Sequence, residues 1–276
     1  MRKHTLTALF CLLTGAAAFI VSCKKEAAEK TTIQSGISQE TLNQISALGF
    51  STADVKKVEG GYLVEGDIRL SESDLTTVVN SPILRTAAEE QYRTNYLVTG
   101  LPRVITVRVN NLGAAFIAGA DTAIARYNRL GLRITFQRIT SGTATITITG
   151  FNEGPSGGYI TLGSAGFPTS GGNPYNSILM NTNAAAYGSS PNVLYVGSVI
   201  QHEIGHCIGF RHTDYFNRAL SCGGTATNEG ASSVGAVWIP GTPTGNSANS
   251  WMLACSNGGN RTFNANDIVA LNYLYK

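Results

Sequence analysis

Histidine is nearly absent from this chain. Its 276 residues include four, and His4 lies in an N-terminal stretch that reads as a cleavable leader. The other three, His202, His206 and His212, share one short window. Charge is scarce as well: 13% of side chains are Asp, Glu, Lys or Arg, and the formal net charge is +3. So weak and scattered an excess argues against a nucleic-acid partner, because such binding neutralises many phosphates at once. The few carboxylates also argue against a dedicated calcium cage, though backbone carbonyls could still build one. No internal repeat is visible.

What is present is QHEIGHCIGFRHTD at residues 201–214. The spacing H-E-x-x-H-x-x-G-x-x-H is filled by His202, Glu203, His206, Gly209 and His212. On a helix, residues four apart stack on one face with Cβ atoms about 5–6 Å apart. His202 and His206 can therefore both reach one zinc ion at about 2.0–2.1 Å. Glu203 is rotated from them by about 100°, which puts it beside the metal and not on it. Gly209 tolerates left-handed backbone angles, so it can end the helix and turn the chain sharply. That turn returns His212 as the third ligand. Three neutral imidazoles leave one position for water, the open geometry of a catalytic zinc. Zinc lowers the pKa of such a water towards about 7. Glu203 is the candidate base that takes its proton and passes it to the leaving amine.

These residues resemble the metzincin clan of zinc endopeptidases. HEIGH at 202–206, followed by Gly209-Phe210-Arg211-His212-Thr213, resembles the bacterial dual-action HEIGH metallopeptidases. Metzincins also carry a methionine turn below the zinc. Ser250-Trp251-Met252-Leu253-Ala254 fits it, and Met252 is the one methionine downstream of the motif. The resemblance implies that Met252 is a structural floor under the imidazoles. Residues 264–276, led by Asp267 and closing on Leu-Tyr, resemble the last metzincin helix, with Asn264 or Asn266 as its cap. Astacin-type members have a glutamate after the third histidine and a tyrosine two places after the methionine. Thr213 and Ala254 stand there instead, so the tyrosine that can bind zinc in that branch is not supplied at this position. Asp214 is expected to hold the turn, not the zinc.

The organisation reads as four parts. Residues 1–22 form a secretory signal, with Arg2 and Lys3 before an apolar run. The end, Ile20-Val21-Ser22-Cys23, resembles a bacterial lipobox, which would leave a lipid on Cys23. Lys24 follows, so an outer-membrane lipoprotein, periplasmic or surface-facing, is expected. Residues 23–36 are a polar tether. Residues 37–98 form a pro-segment with near-helical spacing of Leu42, Ile45, Leu48 and Phe50, possible caps at Ser38 and Ser51, and a strand at 61–70. About fifty residues make a poor independent domain, so it should pack on the larger part. Residues 99–276 form the catalytic domain. Strands are expected at 103–109, 132–137, 144–148 and 177–180, with an edge strand at 159–162. Helices are expected at 114–130, 192–209 and the C-terminus, and 221–260 is mostly loop. The fold class is α+β: a twisted mixed sheet, an active-site helix, and a loop-rich C-terminal subdomain ending in a helix.

Three cysteines remain after Cys11 and Cys23 are assigned to the leader and the lipid. Cys207 falls mid-helix, where a small buried thiol is usual. Cys222 and Cys255 stand at the two ends of the loop region and are the expected disulfide, with three free thiols as the other reading. Val64-Glu65-Gly66-Asp67 resembles the F-x-G-D segment of astacin-type propeptides, with Val64 in place of phenylalanine. That resemblance implies Asp67 as a latency ligand on zinc. A simple turn with an exposed carboxylate is the alternative. No cysteine lies between Cys23 and Cys207, which excludes a thiolate latch. Activation would need cleavage between about Ser81 and Arg103, after Arg85 or Arg93. The expected function is a lipid-anchored, monomeric zinc endopeptidase made as a zymogen, acting on protein or peptide. A zinc amidase acting on cell-wall peptide and a catalytically silent surface binding protein are the competing readings.

Overall fold

In the computed structural model, the described residues are 36–48, 50–76, 91–231, 234–243 and 247–276. The expected signal peptide, Cys23 and nearly all of the tether lie outside them, as does Arg85. No helix among the described residues is long and apolar enough to cross a membrane. Ile33–Lys276 forms one unit.

The N-terminal part starts with α1 (Gln39–Ala47), capped by Ser38, whose Oγ accepts from the Thr41 amide at 3.1 Å. Leu42 and Ile45 face inward from it. Three short strands follow, β1 (Lys56–Val58), β2 (Gly61–Val64) and β3 (Ile68–Ser71), paired antiparallel in that order. The single strand expected at 61–70 is therefore a hairpin. Glu65 (φ 55°) and Gly66 (φ 89°) adopt left-handed angles that reverse the chain, and Asp67 sits on the bend. Ser51 caps no helix; its Oγ accepts from the Ala53 amide in a local turn. Ile45, Phe50, Val64 and Ile68 make a small core, closed from the other side by Phe167 and Val234.

The larger part begins with β4 (Tyr92–Arg93), which later pairs with β10 (Val237–Trp238). The main sheet has order β6-β5-β7-β9-β8. Its strands are β5 (Arg103–Val109), β6 (Ile134–Arg138), β7 (Ile146–Phe151), β8 (Gly163–Ser164) and β9 (Ser177–Asn181). All neighbours run parallel except β8, which is antiparallel to β9. Parallel neighbours need a crossover, and between β5 and β6 it is α2 (Ala114–Asn128). The long helix α4 (Val193–Cys207) follows the short α3 (Ala184–Tyr187) and packs on both α2 and the β8–β9 edge. Alternate residues of the strands, such as Ile105, Val107, Ile134, Phe136, Ile146 and Ile148, fill the core beneath these helices.

The edge strand expected at 159–162 is displaced to Gly163–Ser164. The amides of Ser156 and Tyr159 bond each other's carbonyls in a tight turn, so they are not available to a ladder. The loop region after His212 holds only the four-residue α5 (Ala219–Cys222) and β10 as regular pieces among its described residues. A disulfide joins Cys222 to Cys255, while Cys207 is a free buried thiol. The chain closes on α6 (Ala265–Tyr275), where Asn264 and Asp267 form a reciprocal capping box.

Candidate metal centre

The site is built on the last turns of α4. Asn192 caps the helix by accepting from the amides of Leu194 (2.9 Å) and Tyr195 (3.1 Å). Every residue from Val196 to Cys207 is buried, so the backbone presenting His202 and His206 has little freedom to move. The helix stops at Cys207, and Gly209 turns the chain at φ 106°. A side chain at Gly209 would also strike Leu97 and the Tyr96 carbonyl. Beyond it the chain is held by β4: the Arg211 amide donates to the Tyr92 carbonyl at 3.0 Å. His212 is thereby set opposite the helix.

The three imidazoles share one arrangement. His202 Nδ1 faces the Trp251 carbonyl at 2.8 Å, His206 Nδ1 the Phe210 carbonyl at 2.9 Å, and His212 Nδ1 the Glu229 carboxylate at 2.8 Å. Each partner is an acceptor, so each Nδ1 carries a proton and each Nε2 is the nitrogen whose lone pair is offered to a metal once any proton on it is displaced. Those lone pairs converge. His202 Nε2 and His206 Nε2 are 3.0 Å apart. Asp67 Oδ2 completes the group at 3.3 Å from His202, 3.8 Å from His206 and 3.0 Å from His212. Four ligand atoms at zinc distances in a tetrahedron lie about 3.3–3.6 Å apart. Three facing lone pairs and a carboxylate oxygen at this spacing fit a divalent cation between them. Nitrogen with one oxygen donor and no thiolate suits zinc.

Electrostatics agree with that geometry. Burial alone would raise the Asp67 pKa, but the charge of His212 foremost, with the other two rings facing it, holds it well below the usual carboxylate range. Burial works against the charged form of His212, yet Asp67 and Glu229 outweigh it and lift its pKa well above the ordinary value. Burial lowers His206 to about 4, which keeps that ring neutral. Glu203 is buried beside the cluster, and burial followed by the charge of Asp67 pushes its carboxyl well up. Among the described residues its Oε2 has no hydrogen-bond partner, and neither has Asp67 Oδ1.

Met252 is fully buried beneath α4, with its sulfur against Gly205. Asp214 points away from the metal position. Its Oδ1 accepts from the Ala254 amide at 2.9 Å and its Oδ2 from Ser221 Oγ at 2.5 Å, so it joins the methionine turn to α5. Asp267 braces the same turn from the far side. It accepts from the Trp251 amide (3.1 Å) and from Gln91 Nε2 (2.6 Å). Together these bonds fix the carbonyl that orients His202.

The sequence reading missed a second layer. Glu229 orients His212 and pairs with Arg218 (3.3 Å) and Arg211 (3.6 Å), while Arg211 Nη2 also donates to Glu65 at 3.2 Å. One signal was present: Glu229 is the sole acid between Asp214 and Asp267, in a stretch of small polar residues. An open cleft of about 1250 Å³ runs past His202, Glu203 and Asp67, bordered by Tyr159, Arg218 and Ala254.

Comparison with known proteins follows the same residues. The model of the dual-action HEIGH metallo-peptidase family matches residues 62–275. One myroilysin structure aligns at 16% identity over 44% of this chain and 54% of that one, with a TM-score of 0.33. A crystal structure of myroilysin aligns at 14% over 66% and 86%, with a TM-score of 0.41. High choriolytic enzyme 1, a hatching enzyme zinc-protease from the medaka Oryzias latipes, aligns at 16% over 42% and 49%, with a TM-score of 0.26. The chain thus spans about half the length of the first and last of these. No curated protein matches it. With the family match running from the Asp67 hairpin through the histidine cluster to the last helix, the chain belongs to the dual-action HEIGH metallo-peptidases, on a mixed α+β fold.

Proposed function

We propose that this chain is a zinc endopeptidase made as a zymogen and anchored in a bacterial outer membrane through lipid on Cys23, acting as a monomer on protein or peptide. The observation that carries the zymogen reading is the approach of Asp67 Oδ2 to all three histidine Nε2 atoms, at 3.0–3.8 Å. Bound at those nitrogens, zinc supplies a Lewis acid and a water of lowered pKa. The chain's own residues do the rest. His202, His206 and His212 offer lone pairs whose directions are set by their Nδ1 bonds. Glu203, with one carboxylate oxygen unpartnered, takes a proton from the attacking water and delivers it to the leaving amine. The cleft beside it leaves room for an extended peptide. Asp67, held in the remaining ligand position, would keep nucleophile and substrate out.

Release requires a cut between the hairpin and the catalytic part. Gln91 and Tyr92 are fully buried, and their bonds hold Asp267 and Arg211. A cut after Arg93 would remove both anchors. This supports a cut in residues 77–90, where Arg85 is the one basic residue, and a catalytic domain that starts at Gln91 instead of 99.

Casein hydrolysis by the zinc-loaded full chain tests the reading. The intact protein should be silent, the chain nicked within 77–90 active, and Asp67→Ala active without nicking, with chelator abolishing both activities. A nicked, zinc-loaded protein that cuts nothing would remove the endopeptidase assignment. An intact wild type as active as Asp67→Ala would remove latency alone. Cys23→Ser should move the protein from the membrane fraction to the soluble one, and no redistribution would refute the anchor.

A further inference from the structure

Glu65 plugs a hole whose floor and walls belong to the larger part of the chain. Its carboxylate accepts from Arg211 Nη2 at 3.2 Å. Glu65, Glu229 and His212 bring ligand atoms within 4.8 Å of one another. Phe167 and Tyr215 flank the Arg211 guanidinium, with ring centroids 5.7 and 5.8 Å from its carbon. Glu229 Oε1 is committed to His212 Nδ1 and Arg218, while its buried Oε2, ion-paired with Arg211 Nη2 at 3.6 Å, has no close hydrogen bond among the described residues. The hole thus ends in a buried ion pair, with the Arg211 donor and the Glu229 acceptor side by side.

Its location ties it to the reaction. The His212 ring stands between the two acids of the hairpin: Nε2 faces Asp67, and Nδ1 faces the Glu229 carboxylate that Glu65 adjoins. Gly66 carries the chain from one to the other, passing so close to Arg218 that a Cβ there would lie 3.2 Å from Nη2. A substrate laid where residues 65–67 lie, with its reacting carbonyl near the three Nε2 atoms, would put a neighbouring side chain into the Glu65 hole.

We propose that this hole is the enzyme's main side-chain pocket and that it takes glutamine, or glutamate, beside the scissile bond. This rests on the endopeptidase reading above. A carboxamide of that length accepts from Arg211 and donates to Glu229 Oε2, so both buried groups are satisfied. A protonated carboxyl does the same. A leucine deprives Arg211 of one bond, leaving it those to the Gly235 and Gly230 carbonyls, and leaves Glu229 Oε2 buried without a donor. A lysine answers Glu229 but sets its ammonium against Arg211. Arg211 and Glu229 are then specificity-determining residues, and Glu65 holds the pocket as a substitute for substrate.

The test is a peptide panel with glutamine, glutamate, leucine or lysine in turn at each position flanking the cleavage point, given to the zinc-loaded, nicked full chain. At one position, kcat/KM for glutamine and glutamate should exceed leucine and lysine by about 10-fold or more. Arg211→Leu should bring the ratio of kcat/KM for the glutamine peptide over the leucine peptide down to about one, whatever the absolute rates become, and a ratio that stays about 10-fold in a folded, zinc-loaded variant overturns the proposal. A leucine, phenylalanine or lysine preference at every position overturns the proposal. If no peptide is cut, the endopeptidase reading falls, and the pocket is judged by fluorescence anisotropy of the same peptides on nicked, zinc-loaded Glu203→Gln. Tighter binding of the glutamine peptide by a similar factor supports the pocket, and equal binding overturns it.

Discussion

Helix α4 and the Glu65–Asp67 turn bring their side chains to the same few atoms from opposite starting conditions. The helix arrives capped by Asn192, buried from Val196 to Cys207, and backed by α2, the sheet and Met252. The turn arrives on a three-stranded sheet of short strands, through two successive residues with positive φ. A non-glycine residue such as Glu65 in that region costs on the order of 1–2 kcal/mol, and such strain persists only where surrounding contacts over-determine it. Here those contacts are Arg211 on Glu65 and the imidazoles on Asp67. The helix is held by many weak, non-specific contacts that nothing can exchange. The turn is held by a few strong, specific ones, and another ligand could take each of them over. That difference is what the proposed latency requires of a permanent scaffold and a removable segment.

The largest effect expected on the permanent side is chemical. Glu203→Gln keeps the helix and all three ligands but cannot accept a proton. Hydrolysis by the nicked, zinc-loaded protein should fall about 10²–10⁴-fold, with zinc content unchanged by metal analysis. Substantial activity in that variant would show that the base lies elsewhere. His212→Ala, in contrast, should lower the zinc content itself.

A second effect reads how firmly the scaffold is braced. Burial raises the Asp267 carboxyl from its ordinary 3.8 to about 6, against the pull of its bonds from Asn264, Trp251, Ser250 and Gln91. Its charged form is therefore disfavoured by folding. The stability it contributes is full below about pH 4 and is lost as pH rises to about 6, a change of about 3 kcal/mol. Asp267→Asn should remove this component. The difference in unfolding free energy, wild type minus variant, should fall across that window and stay level above it. A difference that is flat from pH 4 to 6 would mean that Asp267 is paired well enough to titrate normally.

The two regions also differed in how far they could be read in advance. The ligands of α4 follow from spacing alone, because helical geometry is local. Strand β5 keeps its expected bounds at 103–109, and Asn264 caps α6 as its residue type suggests. Alternation at 61–70 continues through the reversal and Glu65 gives no hint of a left-handed angle, so the sequence pattern shows one strand where the structure has a hairpin. The Glu65–Arg211–Glu229 cluster and the Gln91–Asp267 bond were invisible for another reason. Each joins positions far apart in the chain, and a single charged residue does not announce its partner. Asp67 was legible only through the resemblance of its short run to a known propeptide segment. Its meeting with three histidines more than a hundred residues away is a property of the fold.

The same substitution placed in each region sharpens the contrast at the smallest scale. Gly205→Ala puts a Cβ 2.5 Å from the Met252 sulfur and 3.1 Å from Trp251 Nε1. The interior there is closed, so the misfit must be absorbed by the methionine turn, at roughly 1–3 kcal/mol of overpacking. It should lower the melting temperature and loosen zinc together, because Trp251 also holds His202. Gly66→Ala acts differently. Its φ of 89° is the main obstacle, worth on the order of 1–2 kcal/mol, and the nearest atom is the movable end of Arg218 at 3.2 Å. The turn can relax by leaving the site, so the cost should fall on inhibition and not on the scaffold. Zinc content should hold, and the intact chain should leak casein hydrolysis in proportion to the weakened seat, roughly 5- to 30-fold above wild type. If Gly66→Ala instead lowers zinc occupancy as Gly205→Ala does, the hairpin is part of the permanent scaffold and the division drawn between the two regions fails.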